Sequence, residues 1–227
     1  MDALDQKKML YDDIYEKIKE NILCRRYPED SYLVERRIAE EIVCSRTPIR
    51  KAFKRLEAEG WIQYVRNRGM KVKMFTESEV YNIFEVRKPL ECIATYNACK
   101  YINWNNLQLM KEHLENEKIV AQNQDWNAFI DKDLAFHDII LESQNNDIIK
   151  KILKDLRAKS KLIAIRLLYR NTGRIELTLN EHEKIYYAIL RNRARDAQNL
   201  MEQHIQSVYE AACDYLMAVQ KDHIFLE

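Results

Sequence analysis

Three histidines and one aspartate stand where they can act together. Asp133 and His137 are spaced i, i+4, so on a helix both project from one face, which also carries Ile130, Leu134, Ile140 and Leu141. His182 shares a stripe with Leu179, Ile185, Tyr186 and Ile189, and His204 one with Leu200, Met201 and Val208. Apolar neighbours turn a helical stripe toward a core, so four polar groups from three helices are expected to meet in one interior. Imidazole nitrogens beside a carboxylate suit a divalent ion of borderline softness, Zn²⁺ or Ni²⁺ foremost, with room left for a water or an oxygen of a bound molecule. The alternative is a set of hydrogen-bonded core histidines, the common fate of a histidine on an apolar stripe. Spacing alone leaves both open.

Arg87 interrupts a further stripe, Val80, Ile83, Phe84, Leu90 and Ala94, and Glu91 follows one turn later. Such an inward arginine either closes a buried ion pair with Glu91 or grips the carboxylate of a small molecule. A metal could also activate water in an enzyme. A hydrolase needs a placed base and a cleft as well, and the chain has no Gly-rich phosphate loop, serine elbow or conspicuous Cys/His pair. No enzymatic activity is expected.

A second group of residues could recognise DNA. Arg46 and Arg50 lie four apart in a segment that Ser45 can cap through its hydroxyl and in which Pro48 suits the first turn. The N-terminal residues of such a helix reach base edges in the major groove, where arginine grips guanine in a bidentate manner. Thr47 sits beside them, and Lys51 and Lys54 can meet flanking phosphates. Arg36 and Arg37 begin the preceding helix, and Arg66 and Arg68 flank Asn67 before Gly69 in a turn between two alternating segments. A basic helix face is by itself often only a solvated surface; here turn, capped basic helix and basic hairpin occur in order.

The elements that must position these residues follow from periodicity. Helices are expected from about 6 to 23, with Leu10, Ile14, Ile18 and Ile22 on one stripe, from 35 to 43, and from 45 to Gly60. Segments 61–65 and 70–74 around the Arg66–Gly69 turn read as a hairpin. That order, three helices and a two-stranded wing, is a winged helix-turn-helix, assigned to residues 1–75. Thr76 with Glu79 forms a capping-box pattern, and residues 76–227 read as an antiparallel all-α bundle with helices at about 77–101, 104–122, 126–144, 146–170, 176–192 and 194–220. The fold class is mostly α.

Charge divides the same way. Residues 1–75 hold 17 Lys+Arg against 13 Asp+Glu, a net +4, and the remainder holds 20 against 23, a net −3. Arg46 to Lys73 alone carries nine basic residues against Glu57 and Glu59. A basic head on an acidic body suits a polyanionic partner at one end only. The five cysteines are scattered, without a CxxC pair, and no apolar run has membrane-spanning length. A cytoplasmic protein with reduced thiols is expected.

The run Ser45-Arg46-Thr47-Pro48-Ile49-Arg50, followed by Leu56-Glu57-Ala58-Glu59-Gly60-Trp61-Ile62 and the wing Arg66–Gly69, resembles the GntR family of bacterial transcription regulators over about residues 10–74. The resemblance implies that Arg36, Arg46, Arg50 and the wing around Gly69 contact an operator. Two departures concern turns: Val43-Cys44 where the family often has a glycine, and Glu29-Asp30 where glycine is usual. Asp133-x3-His137, Glu181-His182 and Met201-x2-His204, with Arg87-x3-Glu91, are similar to the FCD effector domain of the FadR branch over about residues 78–217. That second resemblance implies a divalent metal on Asp133, His137, His182 and His204, and a small organic acid received nearby, with Arg87 and Glu91 as candidate effector contacts. Together they imply a ligand-responsive repressor, acting as a homodimer on a palindromic operator in double-stranded DNA. The rival is a constitutive or architectural DNA-binding dimer whose helical domain is purely structural.

Overall fold

The computed structural model describes residues 3–224, with side chains from 11 to 221; Leu10, expected on the first apolar stripe, has its side chain outside that range. The described residues form two compact units that divide between Met74 and Phe75.

In the first unit, α1 (Ala3–Leu23), β1 (Tyr32–Leu33), α2 (Glu35–Ile42), α3 (Arg46–Ala58), β2 (Ile62–Val65) and β3 (Gly69–Val72) follow in order. Ile14, Ile18 and Ile22 of α1 are buried together with Ile38 of α2, Ile49, Phe53 and Leu56 of α3, and Trp61, Ile62 and Val72 of the hairpin. Gly60 ends α3: at φ +82° it takes the left-handed conformation that costs glycine least, and the Trp61 N–H closes back on the Leu56 carbonyl at 2.8 Å. The wing pairs Ile62 with Val72 and Val65 with Gly69, and Asn67 and Gly69 both turn with positive φ.

Two details depart from expectation. The sheet has a third strand, β1, which pairs antiparallel with β3 (Tyr32 opposite Lys71), giving the order β1-β3-β2. Two residues are too few to show an alternation. Ser45 occupies the N-cap of α3 with extended backbone, but its hydroxyl makes no capping bond, so the helix start rests on backbone geometry and Pro48.

The second unit contains α4 (Glu77–Tyr101), α5 (Trp104–Gln122), α6 (Trp126–Glu142), α7 (Asp147–Arg170), α8 (Gly173–Leu190) and α9 (Ala194–Ile224). Its helices start where short polar side chains meet free N–H groups. Thr76 and Glu79 form the reciprocal capping box of α4, and Asn103, Asp125 and Asn146 cap α5, α6 and α7. Helix α8 starts at Gly173, three residues earlier than its apolar pattern indicates, because residues 171–175 already turn through the bonds Arg174 N–H to Asn171 and Ile175 N–H to Thr172. Helix α4 runs unbroken through Pro89. Packed helices surround a core that includes Phe129, Ile130, Phe136, Ile140, Ile185, Met201 and Ile205. Among the described residues, no helix is long and apolar enough to cross a membrane.

Candidate nucleic-acid interface and candidate metal centre

On the first unit the expected DNA-reading residues lie on α2, on α3 with its cap, and on the wing. Arg36, Ser45, Arg46, Thr47, Arg50, Arg66 and Arg68 are all exposed, and Gly69 is half-buried. Arg46 and Arg66 form no ion pair among the described residues. Arg50 Nε donates to Glu35 Oε2 at 2.8 Å, a link between α3 and α2 that leaves the Arg50 side chain 62% exposed. Arg36 stands 3.8 Å from Glu40, and Arg68 donates to the Tyr32 hydroxyl at 3.5 Å, so the unexpected strand β1 steadies the wing tip. Exposed pairs of this kind contribute ~0–1 kcal/mol and exchange readily for a phosphate or a base edge. The two departures noted in the sequence are both places of positive φ: Asp30 at +69° and Val43 at +59°. Aspartate tolerates that region; a β-branched valine there carries strain.

On the second unit, His137 from α6, His182 from α8 and His204 from α9 meet, all three buried. One ligand nitrogen from each lies within 4.8 Å of the others. His204 Nε2 is 3.3 Å from His137 Nε2, and His182 Nε2 is 3.6 Å from Asp133 Oδ1. Phe136 stacks on the His182 ring with centroids 4.2 Å apart.

Each imidazole has its other nitrogen against a carboxylate. His137 Nδ1 is 3.0 Å from Glu91, His182 Nδ1 is 3.1 Å from Glu117, and His204 Nδ1 is 2.8 Å from Glu181. An ionised carboxylate only accepts, so each Nδ1 carries the hydrogen and each Nε2 turns its lone pair inward. Burial pushes the Glu91 and Glu181 carboxyls up, but the adjacent histidine and arginine groups outweigh it; Glu181 ends at about 2 and Glu91 lies well below the carboxylate range. Burial also opposes charge on His182 and His204. It drives His204 down to about 3, with His182 and His137 adding repulsion, whereas Glu117 outweighs burial at His182 and raises it.

These donors fit a divalent ion. Lone pairs facing each other across 3.3 Å repel unless a cation or proton lies between them. Two ligands at ~2.05 Å from a tetrahedral ion are themselves about 3.3 Å apart. His182 Nε2 is fully buried with no hydrogen-bond partner, the orphan that a metal ligand would be. The carboxylate–imidazole pairs are the usual outer support of a metal-binding histidine.

Arg87 is buried, with Nε on Glu91 Oε1 at 3.0 Å. Glu91 gives one oxygen to Arg87 and the other to His137, so both are engaged within the chain, and an effector would meet Glu91 only through those partners. Glu117 and Arg174 join the site without having been expected there. Arg174 is buried and holds Glu181 with two bonds, at 3.1 and 2.6 Å. The available signals were a glutamate on the α5 stripe of Met110 and Leu114, and an arginine on the α8 stripe of Thr178 and His182. A cavity of about 30 Å³ adjoins the cluster, bordered by Arg87, Asp133, Ser160, Arg174, Thr178 and His204. It has room for roughly one water.

Comparison with known proteins supplies two family matches: the description "Bacterial regulatory proteins, gntR family" over residues 10–72 and "FCD domain" over residues 82–207. The gluconate operon transcriptional repressor of Bacillus licheniformis is 30% identical over 72% of this chain and 68% of its own length. The regulator YdhC of Bacillus subtilis is 24% identical over 96% of both chains, and the repressor RspR of Escherichia coli is 22% identical over 87% and 86%. A putative GntR transcriptional regulator from Rhodococcus sp. RHA1 shares the fold with TM-score 0.62 at 17% identity, covering 91% of this chain and 98% of its own.

Proposed function

The chain belongs to the gntR family of bacterial regulatory proteins and carries an FCD domain; from that premise we propose a repressor that binds its operator sequence-specifically and answers to a small organic acid through a metal-dependent site. The family is one of transcription regulators, not enzymes. The DNA-binding domain is residues 1–75 and the effector domain 76–227, a boundary one residue past the division of the compact units, and the protein works as a cytoplasmic homodimer on a palindromic operator.

The single observation that carries the metal reading is the convergence of three Nε2 atoms whose Nδ1 atoms are each already held by a carboxylate. Asp133, His137, His182 and His204 would hold the ion, Zn²⁺ or Ni²⁺ by donor type. Such an ion supplies a Lewis-acidic centre for an effector oxygen. Arg87 and Arg174 both border the cavity and would offer guanidinium N–H groups to a carboxylate.

An acid of more than a few atoms exceeds a cavity of about 30 Å³, so its entry has to move side chains that line it. That requirement links binding to a change of packing: a ligand that fits only the opened arrangement shifts the population toward it. The DNA-reading head uses Arg46, Thr47 and Arg50 on α3 with Ser45 at its cap, Arg36 on α2, and the wing at Arg66, Arg68 and Gly69.

The test is metal analysis of purified protein, a thermal-shift screen of organic acids with and without added Zn²⁺, and operator binding in both states. Metal retained at one per chain, an acid that shifts the melting temperature only with metal, and loss of operator binding on adding that acid are expected. Full operator binding with no metal and no response to any acid makes the helical domain purely structural and overturns the sensing reading.

A further inference from the structure

Helix α4 carries two stripes. Val80, Phe84, Arg87, Glu91, Ala94 and Ala98 are buried in the bundle. On the other side Asn82, Val86, Pro89, Ile93, Tyr96 and Lys100 are all exposed, with Val86, Ile93 and Tyr96 at 40%, 42% and 41%. Their spacing, 4-3-4-3-4, is the 3.5-residue repeat of a helix-pairing seam, with four apolar positions between polar ends.

The seam reads the same in both directions. Asn82 and Lys100 are outermost, Val86 and Tyr96 next, Pro89 and Ile93 innermost, all symmetric about residue 91. A two-fold axis at that level sets each residue against the layer of its counterpart, the self-complementarity an isologous contact requires. Charge agrees. Glu77 and Glu85 project from the first half of α4, Lys88 from just before its centre and Lys100 from the second half; none of the four forms an ion pair among the described residues, and Arg195 of α9 adds a cation 5.9 Å from the Tyr96 ring. Antiparallel self-pairing about residue 91 brings Lys100 to the level of Asn82, between Glu77 and Glu85 of the facing copy, whereas parallel pairing sets each charge against its like. Beside the seam, Tyr81, Phe84, Pro89, Ile205 and Tyr209 line an open groove of about 320 Å³ that can receive a side chain of the facing copy.

We propose that α4 is the two-fold interface of the dimer, its exposed seam covered by α4 of a second copy in antiparallel orientation. Glu91, behind the centre of the seam, faces Arg87 and His137. One helix therefore bears the histidine cluster's support on its inner side and the subunit contact on its outer side. Whatever shifts Arg87 or Glu91 is felt at the axis.

This rests on the reading of the protein as a dimer, and the two can fail separately. In sedimentation equilibrium of the full chain, Val86→Glu and Ile93→Glu should each weaken dimerisation at least about thirtyfold, the scale of an interface hot spot, with unchanged helical circular dichroism. Tyr187→Glu, at an exposed aromatic of α8, should not. Oxidation should join two copies of the double variant Val86→Cys, Tyr96→Cys beyond the wild-type background, but not Val86→Cys alone. A monomeric wild type overturns the dimer reading itself. A dimer indifferent to both glutamates overturns the seam, and crosslinking through Val86→Cys alone overturns the antiparallel order.

Discussion

The head and the body of this chain keep their charges under opposite conditions. Arg46 and Arg66 stand in water without an ion pair among the described residues, and Arg36 and Arg50 are tied to glutamates only at the surface. In the body Arg87, Glu91, Glu117 and Arg174 are buried, each against a named partner. An exposed pair is worth ~0–1 kcal/mol, so a head cation is free to choose a phosphate or a base. Removing one member of a buried pair costs ~3–5 kcal/mol, so a body charge answers only to something that replaces its partner. The head's chemistry is therefore separable from its stability; the body's is not.

The largest effect expected from that contrast is in the body. Glu117→Ala leaves His182 without its support and should cost ~3–5 kcal/mol in urea unfolding, together with a fall in Zn²⁺ affinity of about 10–100-fold in chelator competition. Unaltered stability would mean that the buried pair is already relaxed by water. Next is the head: Arg46→Ala and Arg50→Ala should each reduce specific operator affinity by ~1–3 kcal/mol in a mobility-shift titration. Their unfolding should stay within about 0.5 kcal/mol of wild type. Specific binding retained in both would remove these residues from the interface and erase the contrast.

A smaller effect concerns the strained turn. Relieving a left-handed valine gains ~1–2 kcal/mol and the freer glycine chain gives back ~0.5–1, so Val43→Gly should stabilise the head by roughly 0.5–1 kcal/mol, read by hydrogen exchange in α2 and α3. The smallest is a pH effect. Burial pushes the Glu59 carboxyl up, but bonds from Tyr15, Arg55 and Trp61 outweigh it and hold it below its ordinary value of 4.5. A lowered folded value means that the unfolded chain binds more protons in that window, so stability is present above 4.5 and is lost as pH falls through the folded value. The acid limb of the head's melting curve should flatten in Glu59→Gln; an unchanged limb would assign it to another carboxylate.

Much of this was legible in the residues. The order of the winged unit, the stop at Gly60 and the Thr76–Glu79 cap follow from local rules acting over a few positions, and the structure has them. Strand β1 was not legible, since its pairing partner is nearly forty residues away. Nor was the missing Ser45 bond: the capping residue was right, but the rotamer of an exposed hydroxyl is not a sequence property. Periodicity indicated that Asp133, His137, His182 and His204 face inward, yet it could not say that they face one another.

The sequence by itself determined which helices exist, which stripes they bury and where cations concentrate, because each depends on neighbours within a few turns. Only the tertiary structure decided which buried glutamate stands behind which histidine. Glu117 and His182 are separated by 65 residues and Glu91 and His137 by 46, and only the packing of α4, α5, α6, α8 and α9 turns those separations into hydrogen bonds. A buried carboxylate is costly unless such a partner arrives. The physics of burial thus says that partners must exist, and the fold alone says which they are.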